Sequence, residues 1–334
     1  MINHVTISTR VRFARNLSEF PFSEKLTLAQ GEMIIKKIEA VTSKISLGGG
    51  FELIRLSTQS DIDCIALVEN HLISPKLLQN KAVGALILSK DQTISIMINE
   101  EDHIRIQVIL PGQQTREAYK IAVEIDKQME SLGYSCSQKF GYLTSCPTNT
   151  GTGMRVSIML HLPAIIRTGN LEKAMESCNK LGIAVRGMYG ENSDALGHMI
   201  QISNQVTLGH TEEELLTTVE RIANQIVDFE LRLRKSMLQE DRLGIEDEVY
   251  RAFGVLANAR RLKTKEALKL LSDLRTGVDM GLIKTVTKET LDELQIVVQP
   301  ATIQKLAGRS LPTAERDIVR ADLVRDRIEK RRRD

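Results

Sequence analysis

Up to about residue 225, short extended patterns alternate with helical ones; beyond Thr211 almost every pattern is helical. That change of character restricts the chain to an α+β part followed by an all-helical part. In the first part, Val5, Ile7, Thr9, Val11 and Phe13 fall on one face of an extended segment, and Thr6, Ser8, Arg10 and Arg12 on the other. Residues 26–45 carry Leu26, Met33, Ile34, Ile38, Val41 and Ile45 close to a 3.6 period and predict an amphipathic helix. Residues 83–89, 94–99 and 104–110 predict three short strands whose tight connections favour antiparallel neighbours. A helix is predicted at 115–131, ended by Gly133, and strands at 155–162, 183–187 and 199–206, with a helix at 170–181 between the first two.

Thr211 and Glu214 form a capping-box pattern that opens a long helix towards residue 238. Helical patterns recur at 244–260, 264–275, 289–296 and 313–332, with breaks expected at Gly277, Gly281, Pro300 and Pro312. The expected division is a catalytic domain over 1–228 and a C-terminal helical domain over 229–334.

Composition narrows the function classes. Lys plus Arg is 45 and Asp plus Glu 43, so bulk charge gives no reason to expect a nucleic-acid partner. There is no Trp and only 4% aromatic residues, which disfavours stacking platforms for single strands. No apolar run approaches the ~18 residues of a membrane span, and the opening MINHVTISTR lacks the order of a signal peptide. Cys64, Cys136, Cys146 and Cys178 show no CxxC spacing. A cytoplasmic protein with reduced thiols is expected, without a membrane partner and without direct nucleic-acid contact.

The chain has no GxxxxGK[ST] loop, no GxGxxG after a strand and no HExxH, and Gly48, Gly49 and Gly50 read as a turn. Phosphate chemistry would need side-chain cations instead. Arg10, Arg12, Arg105, Arg155 and Arg186 stand on the polar faces of four strand candidates, where each alone is most simply a solvated residue. Together, such guanidinium groups suit a nucleoside triphosphate, because they stay charged and bind phosphate oxygens bidentately. Carboxylates lie close by in NEEDH (99–103) and RGMYGE (186–191). In SCPTNTGTGMR (145–155), turn formation explains Pro147, Asn149, Gly151 and Gly153 but not Cys146, a thiol beside an arginine-bearing strand and suited to react as its thiolate.

The strings STRVR (8–12), NEEDHIR (99–105), CPTNTGTGMR (146–155) and RGMYGE (186–191) resemble those of the guanidino, or phosphagen, kinases in content and order. LTSCPTNTGTGMRVSIMLHLPA, YGENSDALGHMIQISNQVTLG and LLSDLRTGVDMGLI resemble the bacterial protein arginine kinase branch, over nearly the whole chain. The resemblance implies a phosphagen-kinase-like α+β catalytic domain with a mainly antiparallel sheet flanked by helices, then an all-helical domain. It implies an ATP site at Ser8, Thr9, Arg10, Val11, Arg12, His71, Arg105, Arg155, Val156, Ser157, Ile158, Met159, and the run Arg186, Gly187, Met188, Tyr189, Gly190 and Glu191. Within that set the arginines would clamp the phosphates and His71 would contact the nucleotide. Glu101 and Glu191 would grip the acceptor guanidinium, and Cys146 would be the reactive cysteine.

The same resemblance implies Mg²⁺ held mainly through the ATP phosphates, with no protein metal site. RDIVRA (316–321) resembles a motif tied to a regulatory phosphoarginine pocket, at Arg316, Asp317, Arg320 and Ala321; by itself, Asp317 and Arg320 would read as an i,i+3 surface ion pair. The expected activity is transfer of the ATP γ-phosphoryl group to arginine side chains of proteins, marking them for Clp-type proteolysis in bacterial stress response. Expected partners are protein substrates, a small zinc-binding activator, a Clp-type ATPase or protease, and further copies of the chain. Phosphorylation of free arginine is the alternative within enzymes, and a phosphoarginine-binding adaptor without turnover the alternative outside them.

Overall fold

The computed structural model describes residues 5–45, 47–187 and 196–330. Its first part comprises β1 (Thr6–Arg15), α1 (Leu28–Thr42), β2 (Phe51–Arg55), α2 (Asp61–Glu69), β3 (Ala85–Ser89), β4 (Ile94–Ile98), β5 (Ile104–Pro111) and α3 (Thr115–Met129). There follow β6 (Cys136–Ser137), β7 (Gly141–Tyr142), β8 (Met154–His161), α4 (Pro163–Arg167), α5 (Leu171–Lys180), β9 (Ile183–Gly187), β10 (Met199–Asn204) and α6 (Glu212–Glu240). The last part comprises α7 (Arg242–Asn258), α8 (Thr264–Asp279), α9 (Lys288–Val297), α10 (Pro300–Leu306) and α11 (Thr313–Lys330).

Eight strands form one antiparallel sheet in the order β2-β3-β4-β5-β1-β8-β10-β9. The fold is therefore α+β, as the strand spacing leads one to expect. Alternation along the strands makes the two sheet faces chemically different. Val11, Phe13, Ile106, Val108, Val156 and Ile158 meet α1, α3 and α6 in the main core. The opposite face carries the arginines at its centre, and at the β2–β3–β4 end Leu67 of α2 and Leu77 beyond it cover Leu86 and Met97 of the strands.

Two local expectations are corrected. The β1–β8 register shifts between Thr6 and Ser8, so Ile7 leaves the core face and joins Ser8, Arg10 and Arg12 on the cavity side. Gly277 does not break a helix. α8 runs through it to Asp279, and a Cβ there would stand 2.1 Å from Val249 Cγ1, so the glycine lets α7 and α8 cross closely. The stop comes at Gly281, where φ is +74°.

The Thr211–Glu214 capping box is present and opens α6. That helix runs unbroken across residues 228 and 229; Leu215 to Leu233 pack into the sheet core, and Met237 and Leu238 into the helical core. The two cores meet across polar contacts. Glu230 accepts from the Ala164 and Ile165 amides and from Arg234, which also donates to Asp279 and to the His161 carbonyl. On the far side of the sheet, the Glu69 carboxylate at the end of α2 accepts from the Ala301 and Thr302 amides and thereby caps α10. None of the described helices is long and apolar enough to cross a membrane.

Candidate active site

The arginine-bearing sheet face, the 68–75 segment and α8 and α9 enclose a cavity of about 800 Å³. That is within the usual range for small-molecule sites. Register places Arg12 between Gln107 and Arg155, and Arg10 between Ile109 and Ser157. Arg105 follows on β5, and Arg186 stands on the edge strand opposite Gln201. The side chains of Ser8, Ser157 and Met159, with Gly187, also line the cavity or its wall. Thr9, Val11, Val156 and Ile158 are fully buried and, by strand alternation, turn to the helix-covered face. Met188, Tyr189, Gly190 and Glu191 lie outside the described residues.

The cations are concentrated beyond what the fold needs. Arg10 donates to Gln201 Oε1 at 2.6 Å and to Ser157 Oγ at 3.3 Å. Burial, with Arg155 and Arg105 nearby, pushes its guanidinium down to about 10. Burial and the repulsion of Arg10, Arg105 and Arg155 hold Arg12 well below its ordinary value, partly offset by Glu100. Arg12 Nε is buried with no hydrogen-bond partner among the described residues. Stranded donors and mutually repelling charges are costly unless an anion joins them. His71, at positive φ, is fixed by Gln107 Nε2 donating to its carbonyl at 2.9 Å. Burial and then Arg10 push its imidazole down to about 4, so it is neutral at pH 7.

At the other end lies the carboxylate loop. Arg105 donates to Glu100 at 2.7 Å and to Glu101 at 3.2 Å, and Lys76 Nζ meets Glu101 at 2.7 Å. Asn99, Asp102 and His103 hold the loop in shape. Asn99 donates to the Gly31 and Val83 carbonyls, Asp102 accepts from Asn16, and His103 accepts from the Leu17 amide. Glu100 was not singled out by sequence, yet it is 1% exposed and is the inner partner of Arg105.

Asp102 also accepts from the Ser145 amide at 2.7 Å, which pins the Cys146 segment beside Glu101's loop. Cys146 Sγ lies 3.0 Å from Thr148 Oγ1. Thr207 Oγ1 donates to the Thr150 carbonyl at 2.7 Å, and Gly151, at φ +116°, packs so closely that a Cβ would stand 2.9 Å from Leu208 Cα.

Arg15 is a second residue the sequence reading passed over. It is 1% exposed, forms a bidentate pair with Asp126 (3.1 and 2.7 Å), donates to the Thr152 carbonyl and stacks 3.6 Å from the Tyr142 ring. Its signal was an arginine in register with Val11 and Phe13, answered by a lone aspartate among the buried residues of α3. Arg15→Met leaves Asp126 charged and unpaired in the core, so urea unfolding is expected to show a loss of about 3–5 kcal/mol. A loss below 1 kcal/mol would contradict this role.

Residues 33–233 match the family model of the ATP:guanido phosphotransferase C-terminal catalytic domain, and residues 242–334 that of the protein-arginine kinase McsB C-terminal domain. The chain is 43% identical over 327 residues to a protein-arginine kinase of Geobacillus sp. (strain WCH70), covering 97% of this chain and 90% of that one. It is 46% identical to that of Pelotomaculum thermopropionicum, with 97% and 92% covered. The chain belongs to the protein-arginine kinase family. Members are phosphotransferases with a guanidino acceptor, and ATP use follows from the family. Lombricine kinase shares the fold, with a TM-score of 0.62 over 71% of this chain and 69% of that one, at 23% identity. β1, with Arg10 and Arg12, precedes the catalytic-domain match but sits mid-sheet between β5 and β8.

The RDIVRA residues lie on α11. Arg320 is 1% exposed and donates to the Val298 carbonyl at 2.7 Å, the Leu262 carbonyl at 2.6 Å and Asp317 at 2.6 Å. Arg316 donates to Thr313 Oγ1, and Ala321 is buried in the helical core. The Asp317–Arg320 pair expected from spacing is present, but its guanidinium is turned inward and braces two other segments. Among the described residues no group of three or more His, Cys, Asp or Glu side chains converges as a metal site.

Proposed function

We propose that the chain transfers the γ-phosphoryl group of ATP to arginine side chains of proteins. The observation that carries this reading is the cluster of Arg10, Arg12, Arg105 and Arg155, desolvated at Arg10 and Arg12 and with Arg12 Nε unpartnered, directly beside a carboxylate loop. The cluster would clamp the triphosphate and neutralise charge developing on the transferred group. Mg²⁺ would be carried in by the nucleotide and would add positive charge against the transferring phosphoryl group. A protonated guanidinium, with its pKa above about 12, is a poor nucleophile. Glu101, with Glu191, would orient it and accept a proton as nitrogen attacks phosphorus. Cys146, held beside this loop, would contact the acceptor. The catalytic part would occupy roughly the first two thirds of the chain and the helical part would regulate it.

The test is incubation with Mg-ATP and, in parallel, an unfolded model protein or free L-arginine, with phosphate mapped under non-acidic handling. Label on protein arginines with free arginine ignored is expected. Label on free arginine alone would make the chain a small-molecule kinase. Phosphoarginine peptides that bind without ATP turnover would favour an adaptor.

We propose further that α11 takes phosphoarginine near Asp317. Asp317→Ala is then expected to weaken phosphoarginine binding about tenfold or more, by calorimetry, while basal phosphorylation persists; unchanged binding would remove the pocket from α11. Family membership supports a cytoplasmic, oligomeric enzyme that serves stress response with a zinc-binding activator and marks substrates for a Clp-type protease. A pull-down on substrate phosphorylated by the chain that recovers no Clp-type ATPase would argue against that role.

A further inference from the structure

The sheet registers sort the cavity lining by chemistry. Arg105 marks one end, next to Glu100 and Glu101. Moving along the central strands, the rows read Gln107–Arg12–Arg155, then Ile109–Arg10–Ser157, then Pro111–Ser8–Met159. The last row continues to Gln201 and to Arg186 on the edge strand. With about 3.3 Å per residue, the Arg12 row and the Ser8 row are about 13 Å apart. Arg105, Arg12, Arg155 and Arg10 stand on the first rows, whereas the centre of the last row is Pro111, Ser8, Met159 and Gln201, with Arg186 only at its outer edge. A nucleotide with its triphosphate on the first rows therefore reaches the last row with its base.

The roof above that row is α9. Asp292, Gln295 and Ile296 line the cavity at i, i+3 and i+4, a single helical face, and Gln299 joins them from the extended link into α10. Asp292 pairs with Arg275 of α8, which also lines the cavity. This stripe presents one aliphatic side chain beside two amides and the Asp292 carboxylate, and Gln295 Nε2 would stand 3.3 Å from a Cβ on Gly197, two residues before Met199 of β10, which sets α9 by that end of the sheet; such a mix of apolar contact and directed polarity is what ligand sites use. All of α9 lies in the stretch matched by the helical-domain model, outside the catalytic-domain match.

We infer that α9 forms the wall against which the nucleotide base packs, so that the helical part completes the ATP site. This rests on the ATP-dependent reading above. Ile296 is half-buried and bears directly on the cavity, so a larger side chain there intrudes on the base with little cost to the helical core.

The experiment measures binding of Mg-ATP and of inorganic tripolyphosphate to the full chain, in the wild type, Ile296→Trp and Ile296→Ala. Ile296→Trp is expected to raise the Kd for ATP about tenfold or more, and Ile296→Ala about threefold, with tripolyphosphate unchanged in both. ATP affinity unchanged in both variants overturns the inference and leaves the ATP reading standing. Equal weakening of ATP and tripolyphosphate in Ile296→Ala also overturns it, since a base contact cannot act on a ligand without a base. A wild type that binds neither ligand overturns the ATP reading itself.

Discussion

Glu101→Gln is expected to lower the rate of phosphoryl transfer about a thousandfold while Mg-ATP affinity stays near the wild-type value. The substitution keeps size and keeps an acceptor for Arg105, and the fold around it is held by Asn99, Asp102 and His103, not by Glu101. What it removes is the negative charge that Lys76 and Arg105 now share. An acceptor guanidinium brings one positive charge, as does the Lys76 ammonium, and Lys76 is half-exposed on a flexible stem. Exchange of one cation for the other conserves charge in the site. A neutral amide can neither favour that exchange nor take the proton, and general-base contributions are typically worth about 10²–10⁴. Single-turnover phosphorylation beside nucleotide titration is the measurement. Activity within tenfold of wild type would show that the acceptor's proton goes elsewhere.

Arg12→Met should move activity and stability in opposite directions. A base whose folded-state pKa lies below its unfolded value costs the fold stability at every pH below the folded value, and that cost fades only as pH rises through it. Arg12 is such a group, depressed by burial and by three neighbouring arginines, and because a guanidinium keeps its proton at neutral pH the cost is present there. A methionine fills similar space without charge. Urea unfolding in the absence of ligand is expected to show the variant more stable by about 1 kcal/mol. Phosphoryl transfer is expected to fall about 10³-fold, in line with loss of a cation that stabilises the transferring group. Tripolyphosphate should stabilise the wild type through linkage and the variant much less. A less stable Arg12→Met would mean the cluster is a structural network. The contrast with Arg15→Met is instructive, since both arginines are on β1 and the expected stability changes have opposite signs.

Much of this was legible in the chain itself. Alternation placed Arg10 and Arg12 on one face of β1, and the periodicities of α3 and α6 located the helices that cover the other. Failures arose where local pattern met a long-range contact. Ile7 fits the apolar alternation, but a register shift against β8 turns it round. Gly277 looks like a stop until Val249 is seen against it. Spacing alone cannot separate Glu100 from Glu101; the motif resemblance picks out Glu101, and only tertiary placement gives Glu100 to Arg105 and leaves Glu101 half-shared with a lysine. The cap that Glu69 places on α10 spans more than two hundred residues of sequence, beyond the reach of any local signature.

That cap and the Arg320 brace act on adjoining stretches of backbone. Arg320 holds the Val298 carbonyl, and Glu69 holds the Ala301 and Thr302 amides, three and four residues further on. Glu69 is itself two residues before His71. The α9–α10 junction is thus a short beam clamped at both ends, one clamp on the helix that carries RDIVRA and the other on the rim of the cavity. By thermodynamic reciprocity, whatever factor a ligand on α11 imposes on nucleotide affinity, the nucleotide must return to that ligand.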